Sequence, residues 1–167
     1  MVTRWVQWWE ASPGAVALLA AALLYLLAVS VVLSVIDVRT HKLPNRFVLP
    51  AYPMAGVLLG GAALTAGEAG MILASWGGAL ALFLFYWFLW SLYPAGMGLG
   101  DVKLAGVLGL YLGFLSWQHV LLGAAAGFVV GGVWGLVLIA SRRGTAKTAI
   151  PFGPAMLAGT WATLLLV

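Results

Sequence analysis

The sequence predicts an all-α membrane protein, folded as a bundle of six transmembrane helices. Apolar residues make up 64% of its 167 residues and charged residues only 7%, and the mean hydropathy is +1.09. All three values lie far outside the range of soluble globular domains. The apolar residues also fall into separate runs near the length of about 20 residues that a helix needs to cross a bilayer. Residues 1–167 are therefore expected to form a single transmembrane domain.

Six apolar runs are predicted to be membrane helices, with approximate bounds 14–36, 47–65, 70–93, 102–117, 119–140 and 150–167. The first run is too long for the core of a cleaved signal peptide and ends without a small-residue cleavage site, so we interpret it as a membrane helix. Only the turn signal around Ser116 separates the fourth run from the fifth, and merging them would change the predicted topology.

The basic residues predict the orientation of the bundle. Seven of the eight lysines and arginines fall in the first, third and fifth loops, namely Arg39, Lys42, Arg46, Lys103, Arg142, Arg143 and Lys147. By the positive-inside rule these loops face the cytoplasm, and the N-terminus lies outside. The net charge of +4 is explained by this topology, so no nucleic-acid partner is expected; the partner of the apolar surface is the lipid bilayer.

Glycines at four-residue spacing predict close helix packing. Gly123, Gly127, Gly131 and Gly135 fall on one face of the fifth predicted helix, and Gly109/Gly113 and Gly56/Gly60 repeat the spacing in two others. Small residues at this interval let the backbones of neighbouring membrane helices approach each other.

Asp37 and Asp101 are the strongest candidates for functional residues. The chain has only four acidic residues, and these two stand where apolar runs meet basic loops. An ionisable side chain at membrane depth costs about 2.5–3.5 kcal/mol on insertion scales, so it indicates a functional site. The predicted orientation brings both aspartates to the cytoplasmic edge of the bilayer.

Two neighbouring carboxyl groups can supply an acid and a base together. Because like charges at short range do not both ionise easily, one carboxyl keeps its proton while the other is ionised. The ionised group can deprotonate a water for attack on a peptide carbonyl, and the protonated group can donate to the developing oxyanion. This chemistry requires no cofactor.

Each aspartate also has a structural interpretation. Asp101 follows three alternating glycines and can be the N-cap of a helix. Asp37 ends the first predicted helix, where a carboxylate opposes the helix dipole, but an ion pair with Arg39 or Lys42 would offset that cost. A magnesium-dependent lipid phosphotransferase usually has more carboxylates than two, and a pair of carboxylates is a poor zinc site. No metal is therefore expected.

Three segments together resemble the type IV prepilin peptidase family of polytopic membrane aspartic peptidases. They are Gly98-x-Gly100-Asp101-x-Lys103, the upstream Asp37 with Leu43-Pro44-Asn45, and the late Ile150-Pro151-Phe152-Gly153-Pro154. A bare G-x-G-D motif also occurs in presenilin-like and signal-peptide-peptidase-like proteases, but the three segments in this order are far more specific. The resemblance covers about residues 37–159.

The resemblance implies an intramembrane aspartic endopeptidase. It would remove the short basic leader from type IV prepilin or pseudopilin precursors at the cytoplasmic face of the inner (plasma) membrane. By motif match Asp37 and Asp101 would be the catalytic pair, and Gly98 and Gly100 would shape the backbone around the second acid. Lys103 would either tune the charge of Asp101 or act only as a loop cation.

The last of the three segments has two open interpretations. Proline suits the first turn of a helix, where its missing amide costs nothing. Alternatively, Pro151, Phe152, Gly153 and Pro154 form an irregular segment that lines the peptide groove. Both interpretations place the segment at the same edge as the two acids.

The resemblance is to the short, peptidase-only form of the family. Larger members carry an N-terminal region with a cysteine-bearing loop and an N-methyltransferase activity. This sequence starts directly with the helix before Asp37 and contains no cysteine, so methylation is not expected. The alternative to an enzyme is a membrane scaffold or small transporter subunit in which the aspartates cap helices or line an ion pathway. The sequence leaves open the precursor, the oligomeric state and which aspartate holds the proton.

Overall fold

The structure, a computed structural model, describes residues 12–94, 96–142 and 151–166. Within these ranges the chain forms six helices: α1 Pro13–Thr40, α2 Asn45–Thr65, α3 Gly70–Leu92, α4 Leu99–Leu115, α5 Trp117–Ala140 and α6 Phe152–Leu166. The prediction of an all-helical fold is confirmed for this part of the chain. Helices α1, α2, α3 and α5 are long and apolar enough to cross a membrane, and α6 is a shorter apolar helix. The protein is therefore a multi-pass membrane protein.

Two helix ends differ from the predicted bounds by three or more residues. Helix α1 continues one turn beyond Asp37, because His41 adopts a left-handed conformation with φ of 51° and donates its N–H to the Asp37 carbonyl. Helix α4 begins at Leu99 because Gly98 serves as its N-cap. The fourth and fifth helices are separate, as predicted. Ser116 lies between them in extended backbone and caps α5 by accepting a hydrogen bond from the His119 N–H.

Helix α4 lies at the centre of the bundle. Its residues from Asp101 to Phe114 are buried except for the half-buried Lys103, and it contacts α2, α3, α5 and α6. A helix that packs on all sides is apolar all round, which is why α4 shows no polar face in the sequence.

Glycines bring α4 against α3 and α5 against α6. A Cβ atom added to Gly109 would lie 2.7 Å from the Cα of Ala79, and one on Gly113 would lie 2.9 Å from the Cα of Gly78. On α5, a Cβ on Gly127 would lie 3.3 Å from the Cα of Met156 on α6. The predicted close packing holds at these positions. It is wrong at Gly60, where no such atom lies within 4 Å.

Three helix ends lie close together in the fold. The C-terminal end of α1 and the N-terminal ends of α4 and α6 border a common cleft at one end of the bundle. This end holds the candidate site.

Candidate active site

Asp37 and Asp101 line the same cleft, which has a volume of about 640 Å³. Asp37 comes from the last turn of α1 and Asp101 from the first turn of α4. Both side chains are largely buried, with 4% of Asp37 and 8% of Asp101 exposed. The structure thus brings the two predicted acids to one edge of the bundle, although they are far apart in the sequence.

Asp37 is held by the first turn of α6. The Gly153 N–H donates a hydrogen bond of 3.0 Å to Asp37 Oδ2. Gly153 is the second residue of α6, so its amide is one of the donors that a helix N-terminus leaves unpaired. The positive end of the α6 dipole therefore offsets the unfavourable position of Asp37 at the negative end of α1.

Gly153 also leaves the space that the Asp37 carboxyl occupies. A Cβ atom at Gly153 would lie 2.8 Å from Asp37 Oδ2 and 3.3 Å from Leu43 Cδ2. Any side chain at this position would displace the carboxyl group. Glycine is therefore required here for close approach.

Asp101 is held by the residue that caps its own helix. Asp101 is the third residue of α4, and its Oδ2 accepts a 3.0 Å hydrogen bond from the Gly98 N–H. A carboxylate that reaches back to the N-cap amide is half of a capping box. The interpretation of Asp101 as the N-cap itself is therefore wrong, since the N-cap is Gly98.

Asp101 precedes the apolar run 102–117 and faces the cleft. The two carboxyl groups thus line one cleft, the arrangement that a shared acid–base pair requires.

The two carboxyl groups are held by the same kind of contact. In each, Oδ2 accepts a glycine N–H. Among the residues that the structure describes, Oδ1 of neither group has a hydrogen-bond partner and neither group forms an ion pair. The ion pair considered for Asp37 with Arg39 or Lys42 is therefore not formed. Within the described part of the chain, one oxygen of each acid is thus left for a reacting molecule.

Gly98 and Gly100 differ in what they contribute. A Cβ at Gly100 would lie 2.8 Å from the Cβ of Leu43, so this glycine lets the loop between α1 and α2 lie against α4. Gly98 has φ −81° and ψ 151°, a conformation open to any residue. Its contribution is the N–H that holds Asp101.

Lys103 contacts α2. Its Nζ donates to Asn45 Oδ1 at 3.0 Å, and its backbone carbonyl accepts a 2.7 Å hydrogen bond from the Tyr52 hydroxyl. It forms no hydrogen bond or ion pair with Asp101. The structure therefore gives Lys103 a role in joining α2 to α4.

Of the two interpretations of the segment 151–154, the helix start is confirmed and the irregular backbone is wrong for residues 152–154. Pro151 precedes α6, and Phe152, Gly153 and Pro154 lie in its first turn. Pro151 and Phe152 also line the cleft. The Phe152 ring packs against Phe128, with ring centroids 5.3 Å apart. The segment is thus both a helix start and a wall of the site; Ile150 lies outside the described residues.

Sequence reasoning missed parts of the cleft wall. His41, Met97 and Leu99 line the cleft together with the acids. They lie beside the motif residues, so proximity to the motifs is the only signal that points to them. No spacing in the sequence indicates that Gly153 meets Asp37, since 116 positions separate them.

Residues 24–136 match the type IV leader peptidase family. The chain is 34% identical to the prepilin leader peptidase/N-methyltransferase of Stutzerimonas stutzeri, over 99% of this chain and 55% of that protein. Proteins of the same name are 35% identical in Aeromonas salmonicida, over 86% of this chain and 48% of the relative, and 31% identical in Pseudomonas aeruginosa, over 99% and 54%.

The chain spans about half the length of these curated relatives. No solved structure matches it. The family match includes both aspartates, and the resemblance predicted from the sequence motifs is confirmed. The chain belongs to the type IV leader peptidase family.

Proposed function

We propose that the protein is an intramembrane aspartic endopeptidase that removes the basic leader from type IV prepilin-like precursors, with Asp37 and Asp101 as the catalytic pair. The observation that carries this proposal is the cleft that both buried carboxyl groups line at one end of the bundle. The substrate class comes from the family, whose relatives are named prepilin leader peptidases.

The reaction follows from one ionised and one protonated carboxyl group. The ionised group takes a proton from a water molecule, whose oxygen attacks the carbonyl carbon of the scissile peptide bond. The protonated group donates to the carbonyl oxygen, where negative charge develops. The first carboxyl group, now protonated, then gives its proton to the leaving nitrogen as the C–N bond breaks. The second, now ionised, takes a proton back from a hydroxyl group of the intermediate, so the pair returns to its starting state. The two groups titrate together, so the proton belongs to the pair.

The backbone around the acids prepares this geometry. Gly153 and Gly98 each hold one carboxyl oxygen at 3.0 Å. Both acids therefore keep their positions before substrate arrives, which is the preorganisation on which acid–base catalysis depends. The open cleft of about 640 Å³ has room for an extended segment of the precursor beside them.

The charges at the site end support an orientation toward the cytoplasm. The described residues Arg39, Lys42, Arg46, Lys103 and Arg142 belong to the loops and helix ends on this side, as the positive-inside rule requires of a cytoplasmic face. Arg143 and Lys147 lie outside the described residues. We propose six membrane crossings with the N-terminus outside, an inner-membrane location, and one transmembrane peptidase domain over residues 1–167.

The relatives' names also include an N-methyltransferase, but this chain spans only about half of their length. We confine the proposal to the peptidase reaction, whose chemistry the two carboxyl groups of this chain supply. In this proposal the lipid bilayer surrounds the helix bundle, and the precursor reaches the cleft from within the bilayer.

Cleavage of a reconstituted precursor tests the function. The purified protein in lipid vesicles is incubated with a prepilin that carries its basic leader, and the products are identified by mass spectrometry. We expect one cut that separates the leader from the apolar segment. An intact precursor, with the peptidase correctly folded and inserted, would contradict the proposal.

Cysteine labelling tests the orientation, because the native chain has no cysteine to interfere. Arg46→Cys lies at the site end, and Glu68→Cys lies in the connection between α2 and α3 at the other end. We expect a membrane-impermeant maleimide to label Glu68→Cys in cells whose outer envelope layers have been removed and whose inner membrane is intact. Arg46→Cys should be labelled only in inverted vesicles of the inner membrane. The reverse labelling pattern would place Asp37 and Asp101 at the external face of the membrane and would contradict the proposed orientation.

A further inference from the structure

We propose that the membrane-facing groove between α2 and α3 holds the apolar helix that follows the scissile bond in the precursor. This inference rests on the proposed function, in which the precursor is anchored in the same bilayer as the peptidase. The apolar helix of the precursor would lie in the groove while the peptide bond between the leader and the rest of the precursor lies in the cleft.

The groove has a volume of about 380 Å³ and an apolar wall. Leu49 of α2 and Trp76 and Leu80 of α3 line it, with 50%, 47% and 59% of their surfaces exposed. Phe83 continues the wall toward the cleft end of α3, where Lys103 of α4 adds the only charged side chain among the lining residues. The groove therefore offers apolar contacts along its length and one cation at the cleft end.

The groove exists because α2 and α3 both pack on α4 and contact each other only slightly. At the far end, Trp76 lies over Gly56 of α2, where an added Cβ would be 3.0 Å from the indole ring. At the near end, the Tyr52 hydroxyl reaches the Lys103 carbonyl across Gly106, which has no side chain to block it. These contacts give the groove a fixed shape.

The groove adjoins the catalytic cleft. Asn45 lines the cleft and Lys103 lines the groove, and their side chains are joined by a 3.0 Å hydrogen bond. Leu49 lies one turn below Asn45 on α2, because residues four apart share a helix face. A chain that leaves the cleft beside Asn45 and enters the bilayer as a helix therefore passes along this groove.

A second membrane-facing groove of similar volume, about 380 Å³, lies between α3 and α5 and provides a comparison. Its cleft end is closed by aromatic rings: Phe128 stacks on Tyr86 with centroids 5.5 Å apart and packs on Phe152 at 5.3 Å. Phe152 is itself part of the cleft wall. A helix in this groove would be separated from the cleft by these rings, so the groove between α2 and α3 is the better fit.

Matched tryptophan substitutions test the assignment. Leu80→Trp fills the groove between α2 and α3, and Leu121→Trp fills the comparison groove, at an exposed leucine in each. Each variant is assayed with the full precursor and with a soluble peptide that contains the same leader junction and ends before the apolar helix. We expect Leu80→Trp to raise KM for the full precursor by about tenfold, the effect of losing about 1.4 kcal/mol of binding. Its cleavage of the peptide, and both reactions of Leu121→Trp, should match wild type.

The outcomes separate the two proposals. Normal cleavage of the full precursor by Leu80→Trp, or equal losses with both substrates, would overturn the groove assignment. Failure of the wild-type protein on both substrates would instead contradict the proposed function.

Photo-crosslinking gives a second reading that does not depend on turnover. A benzophenone amino acid replaces Leu80 or Leu121 in an Asp101→Asn background, and full precursor is added before irradiation. We expect an adduct with the precursor from position 80 and none from position 121. Adducts from position 80 with lipid alone, or with a second copy of this chain alone, would overturn the assignment.

Discussion

Asparagine in place of Asp37 or Asp101 is expected to lower cleavage of the precursor by roughly 10²–10⁴-fold, the range that a positioned acid or base supplies. Asparagine has nearly the same shape and still accepts a hydrogen bond, so the Gly153 and Gly98 amides keep a partner. It cannot transfer a proton as a carboxyl group does. The measurement is the initial rate of cleavage in vesicles, with insertion of each variant verified.

The double variant sharpens this prediction. Groups that act as one unit show non-additive losses, so Asp37→Asn with Asp101→Asn should be little slower than the slower single variant. Glu68→Gln is the control, because it removes a carboxylate at the opposite end of the bundle. Full activity in either inserted single variant would eliminate the acid pair as the mechanism.

Gly153→Ala is expected to lower cleavage by about 100-fold, the loss that a displacement of about 1 Å can cause at a catalytic group. The added Cβ would lie 2.8 Å from Asp37 Oδ2, so the carboxyl group must move and its hydrogen bond to the Gly153 amide must lengthen. The expected signature is a fall in kcat with little change in KM, because the substrate-binding wall remains.

Two alanine variants serve as comparisons for Gly153→Ala. At Gly132 of α5 an added Cβ meets no atom within 4 Å, so Gly132→Ala should retain wild-type activity. At Gly98 the nearest atom, Asp101 Oδ2, would be 3.4 Å away, an ordinary contact, so Gly98→Ala should lose less than Gly153→Ala. Equal activity in the Gly153 and Gly132 variants would show that close approach at Gly153 does not position Asp37.

The helices of this protein were predictable because apolar runs of membrane length leave the backbone few alternatives. In hydrocarbon every backbone amide must be paired internally, so such runs form helices. The ends were less predictable, because they depend on single caps: His41 in a left-handed conformation extends α1 past Asp37, and Gly98 starts α4 earlier than its apolar run. The pattern of apolar residues in the sequence marks neither of these capping residues.

The two acids were predictable from the sequence, but the contacts that hold them were not. Charge rarity and position at the edge of apolar runs single out Asp37 and Asp101. The Gly153–Asp37 and Lys103–Asn45 bonds join distant segments and depend on how the helices are arranged. Likewise, Gly109 and Gly60 both belong to pairs of glycines four residues apart. Gly109 contacts α3, whereas a Cβ atom added at Gly60 would have no such atom within 4 Å. Spacing shows which residues share a face and leaves open what that face contacts.

The hydrogen bond from Gly153 to Asp37 also joins two parts of the chain that are made at different times during synthesis. Asp37 is made early, while the amide that fixes its side chain belongs to the sixth helix and is made 116 residues later. A nascent chain that has inserted only its first helices carries both acids without this anchor. The carboxyl group of Asp37 therefore reaches its bonded position only after α6 has been made and has packed against α1.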